Sequence, residues 1–234
     1  MTRMTKTRAT TFVLGAGALW GCISLFVRQL SAAGLSSGDI TAVRLLVSAA
    51  GMLAVILVVD RGLLRIRLRD LWLFAGTGIV SILFFNVCYF TCMTMSEASI
   101  AVVLLYTSPI FVMLMSALFF KEQVTGPKVA ALAMTFAGCA LVAGVLGGTT
   151  SLPPFALAAG IASGFFYATY SIFGRKALER YDPLTVTFYT FAMGALACLF
   201  TSDMPGIVAH TLADPWLVAW YAGLGVLCTI VPYL

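Results

Sequence analysis

Residues 12–21, Phe12-Val-Leu-Gly-Ala-Gly17-Ala-Leu-Trp20-Gly21, return 143 residues later as Phe155-Ala-Leu-Ala-Ala-Gly160-Ile-Ala-Ser-Gly164. The match runs without a gap from Phe12–Leu53 onto Phe155–Leu196, with eleven of 42 positions identical. An apolar composition inflates such a count, so the weight falls on the less generic coincidences. A G-x-x-x-G keeps its register, Asp39 falls on Asp182, and Gly51 falls on Gly194. With four extra residues in the second copy, Gly76-Thr-Gly78 then falls on Gly223-Leu-Gly225. The chain reads as one unit built twice.

Composition says where that unit lives. Of 234 residues, 61% are hydrophobic and only 10% are charged, against ~45–50% and ~25% in ordinary globular chains. Too few ionisable side chains remain to coat a water-facing surface. A soluble enzyme, a disordered tail and a nucleic-acid-binding module are excluded. The six cysteines, Cys22, Cys88, Cys92, Cys139, Cys198 and Cys228, lie inside apolar runs and read as small buried hydrophobes. A spanning helix needs about 20 mostly apolar residues. Eight such stretches are expected, near Thr11–Leu30, Ile40–Val59, Leu71–Met93, Ser99–Phe120, Val129–Leu146, Pro154–Gly174, Leu184–Phe200 and Trp216–Leu234.

The net charge of +5 is a matter of sidedness. With the N-terminus inside, twelve of the fourteen Lys and Arg fall on one face: Arg3, Lys6, Arg8, Arg61, Arg65, Arg67, Arg69, Lys121, Lys128, Arg175, Lys176 and Arg180. Only Arg28 and Arg44 belong to the other. Positive charge gathers on the cytoplasmic side, so the expected topology is a multi-pass protein of the cell (inner or plasma) membrane with a cytoplasmic N-terminus. The first run resembles a signal peptide in its charged start, but it is long enough to span and has a later copy. The first copy holds five spans, an odd number, so the second begins on the opposite side. Inverted repeats are the consequence, with the first at 11–147 and the second at 153–234. At its final offset the second copy stops about two spans short of the first. The expectation is an all-α membrane protein of ten spans, eight of them present here.

Five helices, inverted and repeated, resemble the drug/metabolite transporter superfamily, specifically its EamA-type permeases. The residues that carry the likeness are Leu19-Trp20-Gly21 in the first span and Arg44-Leu-Leu in the second. The most specific stretch runs from Ser96-Glu97-Ala98-Ser99-Ile100-Ala101 through Leu105-Tyr106-Thr107-Ser108-Pro109-Ile110-Phe111 to Leu118-Phe119-Phe120-Lys121-Glu122. The likeness implies a secondary carrier that exports amino acids or similar small polar metabolites by alternating access, with no cofactor. It also implies a cavity walled by the third and fourth spans of each half. The partners are then a small-molecule solute and the lipid bilayer, with no nucleic acid; a homodimer stays open. The missing counterpart of Ala98–Glu122 departs from the family pattern, which leaves open a truncated or accessory membrane protein without transport of its own. An intramembrane enzyme would need buried acid/base or metal-binding groups, and no Asp, Glu or His stands near a span centre.

The candidate cavity residues are Trp20, Arg44, Asn86, Tyr89, Tyr106, Ser108, Pro109, Tyr167 and Tyr170. A charge within a span is costly unless paired or hydrated, so Arg44 either meets a solute, acts in gating, snorkels outward or holds a neighbouring helix's carbonyls. Asn86 and Tyr89 are three apart and share a helix face, toward a cavity or a neighbouring helix. Tyr106, Thr107, Ser108 and Pro109 interrupt span four, because proline cannot supply the ladder's N–H. Broken helices mark transport sites, or they kink to suit packing. Trp20, Tyr167 and Tyr170 are cavity aromatics or packing. Gly17/Gly21 and Gly160/Gly164 are expected to admit close helix approach. Trp216, Trp220 and Tyr221 are expected to anchor at the interface. His210 is expected to be solvated in an outer link. Cys88 and Cys92, four apart, lack the further ligand that a soft metal needs.

Overall fold

The computed structural model of the protein describes residues 6–142 and 152–233. We number its helices α1 (Thr10–Ala32), α2 (Ser37–Val59), α3 (Leu68–Met95), α4 (Ala98–Phe120), α5 (Gly126–Val142), α6 (Pro154–Leu178), α7 (Pro183–Thr201), α8 (Met204–Ala213) and α9 (Leu217–Tyr233). Among the described residues there is no β-strand. Six helices, α1 to α4, α6 and α7, are long and apolar enough to cross a membrane. α5 and α9 occupy the other two expected positions as shorter helices. The helix α8 was not foreseen; Asp203 caps it, with the carboxylate accepting the Gly206 N–H at 3.0 Å and a proline in the first turn.

The aspartates shared by the repeat both start helices. Asp39 forms a capping box with Ser36 at the head of α2, and the Asp182 side chain accepts the Leu184 N–H at the head of α7. Further along, the two Gly-x-Gly stretches share a rare backbone. Residues Gly76–Leu83 of α3 and Gly223–Ile230 of α9 are both π-helical, a form found in well under 1% of residues. A hydroxyl reaches five residues back in each. Ser81 Oγ donates to the Gly76 carbonyl at 2.8 Å, and Thr229 Oγ1 to the Leu224 carbonyl at 2.9 Å.

These two stretches pack reciprocally. Gly78 of α3 lies against α7, where an added Cβ would strike the Thr190 carbonyl and come within 3.0 Å of the Gly194 nitrogen. Gly225 of α9 lies against α2, where a Cβ would strike the Val47 side chain. α2 and α7 cross between them, and a Cβ on Gly194 would meet Leu45 at 2.9 Å. One large apolar cluster, including Val27, Leu45, Met52, Phe90, Met93, Phe191, Leu224 and Cys228, fills the centre from both halves.

Polar groups tie the ends of the two halves together. On the face holding the arginine-rich link, Asp70 is 2% exposed and takes a 2.6 Å bond from Arg180 and a 2.7 Å bond from Tyr181. Thr185 and Tyr189 donate to the Leu63 and Leu64 carbonyls. At the other end, the Asp203 N–H donates to Asp39 and the Ser202 hydroxyl to the Gly38 carbonyl.

Two expectations need correction. A Cβ at Gly17 or Gly21 would find nothing within 4 Å, so this pair makes no close approach to another described helix. Glycine supplies room, but a partner must occupy it. Tyr221 is buried at 7% exposure and lies 3.2 Å from Thr211 across a hydroxyl pair; it is a packing residue and not an interfacial anchor. Trp216 is 77% exposed. His210 is exposed, with its imidazole beside Gly34. Cys139 lies outside the residues whose side chains are described.

Candidate functional site

Arg44 is the eighth residue of α2, about 10 Å along the axis from its start at 1.5 Å per residue. It is 6% exposed, so it does not snorkel. Nε donates to Thr229 Oγ1 at 2.9 Å, and Nη1 donates to Asn86 Oδ1 at 2.5 Å. The guanidinium also lies 5.7 Å from the centre of the Phe90 ring. Thr229 comes from the π-helical stretch of α9, and Asn86 follows that of α3. One arginine therefore joins α2, α3 and α9.

Both neutral partners are themselves held. Asn86 Nδ2 donates to the Ile82 carbonyl at 2.7 Å, and Thr229 is bonded as described above. Asn86 and Tyr89 do share a buried face, but the amide is committed to Arg44. Tyr89 stacks on Phe85 at 5.5 Å, and Phe85 meets the Tyr167 ring edge-on at 5.2 Å. These rings run from the arginine's surroundings toward α6.

The break in α4 is real. Helical residues end at Leu105 and resume at Ser108, with Pro109 in the first turn of the second piece. Pro109 has no N–H to offer the Leu105 carbonyl. The Leu104 carbonyl instead takes the Thr107 hydroxyl at 2.7 Å. Gly160 and Gly164 of α6 make room for this break. A Cβ on Gly164 would strike Thr107 Oγ1 and lie 3.2 Å from the Ser108 nitrogen, and one on Gly160 would strike Leu104. Beside the junction lies an open groove of about 470 Å³, lined among others by Ser108, Pro109, Met113, Lys128, Thr135 and Tyr167.

The nine candidates thus divide. Arg44, Asn86 and Tyr89 gather at the centre, and Ser108, Pro109 and Tyr167 line the groove. Tyr170 lines a separate depression with Gly174 and Arg175 at the far end of α6. Tyr106 is 45% exposed at the end of the first α4 piece. Trp20 is 43% exposed and meets Tyr233 edge-on at 6.0 Å. Sequence reasoning missed Thr229, Phe85 and Phe90. At the repeat's final offset Thr229 falls on Ile82 and Asn86 on Tyr233, so the repeat carried no signal for Thr229.

At the charged rim of the groove, Arg175 bonds Glu122 at 2.6 Å. That hydrogen bond, aided by the positive charges of Arg175 and Lys128, holds the Glu122 carboxyl below its ordinary range. No group of three or more His, Cys, Asp and Glu suited to a metal occurs among the described residues.

Comparison with known proteins gives a consistent picture. An uncharacterized transporter of Archaeoglobus fulgidus is 30% identical over 219 residues, covering 92% of this chain and 72% of the relative. A second uncharacterized transporter of that organism is 31% identical over 147 residues, covering 62% of this chain but only 50% of the relative. The chain's match therefore spans about half the length of that second protein. A solved crystal structure superposes with a TM-score of 0.58 over 97% of this chain and 85% of the other, at 22% identity, which shows a shared fold. The model of the EamA-like transporter family matches residues 7–144 and 154–234. The chain belongs to the EamA-like transporter family.

Proposed function

We propose that the protein works as a secondary carrier, exporting amino acids or similar small polar metabolites across the cell membrane by alternating access. Its two repeats, 11–147 and 153–234, are inverted relative to one another within a ten-span plan. The N-terminus and the arginine-rich link at Arg61–Arg69 face the cytoplasm. The observation that carries this is the broken α4, seated on Gly160 and Gly164 beside an open groove. Non-helical backbone at membrane depth is tolerated where it lines a cavity, and carriers place their sites there. The reciprocal packing of the two π-helical stretches supports a rocking pair of halves.

The test is reconstitution in liposomes loaded with a metabolite mixture. Release of solutes in unchanged form supports the carrier. Appearance of a new product favours an enzyme, and retention of every solute favours an accessory role. Orientation is tested with single cysteines at Arg61–Arg69 in a cysteine-free background. Impermeant thiol reagents are expected to reach them from the cytoplasmic side alone, and labelling from outside would overturn the topology.

A further inference from the structure

Arg44 is a buried cation with no counter-ion among the described residues. All nine acidic residues of the chain lie in a first turn, at a cap or in a link. Among the described residues, the ion pairs are Arg175–Glu122 and Arg180–Asp70. A bare charge at such depth costs several kcal/mol in effective desolvation, and its bonds to Asn86 and Thr229 are to neutral oxygens.

Its donors are also unspent. A guanidinium has five N–H groups, and two of them are bonded, leaving three. Among the described residues Nη2 makes no hydrogen bond. Yet no fully buried side-chain nitrogen or oxygen among the described residues lacks a partner. Nη2 is therefore not completely sealed from its surroundings. Asn86 and Thr229 fix the plane of the guanidinium, so those remaining N–H groups point in a set direction.

We propose that the transported solute carries a carboxylate and that Arg44 is its binding group. The carboxylate supplies the missing negative charge, and its planar pair of oxygens matches the guanidinium fork. The aromatic rings of Tyr89, Phe85 and Tyr167 then lie on the path between this charge and the groove. The inference rests on the carrier reading.

The experiment uses the chain in liposomes loaded with equal amounts of L-amino acids and of the same amino acids as C-terminal amides, with efflux followed by mass spectrometry. The amides keep the side chain and the ammonium group and lose only the carboxylate. The expected result is that acids leave at least about tenfold faster than amides, in line with a charged hydrogen bond. Arg44→Gln abolishes the preference, and Arg44→Lys retains part of it. In detergent, the acids are expected to raise the melting temperature of the wild type but not of folded Arg44→Gln. Equal efflux of acids and amides, or undiminished acid efflux by Arg44→Gln, overturns the proposal while leaving the carrier intact. Efflux of neither panel overturns the carrier reading and the inference with it.

Discussion

Gly17/Gly21 and Gly160/Gly164 are the same motif in the same register, and their surroundings are opposite. The later pair is pressed against the broken α4, while the earlier pair has nothing within 4 Å. Their helices differ likewise: 11% of the apolar window of α1 is buried, against 39% for α6. A glycine pair marks where a helix is thin; what comes close there is decided elsewhere.

The largest expected effect separates these pairs directly. Gly164→Ala puts a methyl onto Thr107 and against the backbone of Ser108 and Leu104, neither of which can yield freely. It should lose about 1–3 kcal/mol by overpacking. Gly21→Ala meets open space and should gain up to about 1 kcal/mol from helix propensity. Thermal unfolding in detergent measures both, and equal losses would mean that the earlier pair is packed after all.

A smaller difference sets the two π-helical crossings against each other. Gly78→Ala drives a methyl into the α7 backbone, whereas Gly225→Ala meets the Val47 side chain. The first should cost about 2–3 kcal/mol and the second about 1–2 kcal/mol, because the branched Val47 side chain yields little. If Gly225→Ala proves the more damaging, the reciprocal packing is less symmetric than its geometry.

The smallest effects concern the two ion pairs. Asp70 is almost fully covered, while both partners of Arg175–Glu122 are about half exposed. Asp70→Asn should lower the melting temperature by about 2–4 °C, and Glu122→Gln by less than about 1 °C. The Glu122 carboxyl has a lowered pKa in the folded chain. Its contribution is therefore complete above the ordinary glutamate value, about 4.3, and disappears as pH falls through the folded value. The stability difference between wild type and Glu122→Gln should be constant above that value and shrink to nothing as pH falls through the folded value.

Much of this was legible before any coordinates. Spans announce themselves by composition, since a lipid-facing helix must be apolar along about 20 residues. The break in α4 could be read from Pro109, because a missing N–H is a local fact. Partnership could not be read. Thr229 lies 185 positions from Arg44, and nothing in its neighbours foretells the bond. The seating of Gly78 against the α7 backbone is likewise a contact its sequence neighbours do not announce. Arg44 stands out in the sequence by its charge, but that no described carboxylate lies beside it is a fact of tertiary packing.

The π-helical stretches have a consequence for how such a chain tolerates insertions and deletions. A π turn accommodates one residue more than an α-helix of the same rise would hold. Losing a residue from an ordinary helix turns everything beyond it by about 100°. Losing exposed Val80 instead lets the helix relax to α-form and leaves Asn86 facing Arg44. Each π-helical stretch carries, where glycine brings two helices close, a spare residue that the helix can shed without losing its aim.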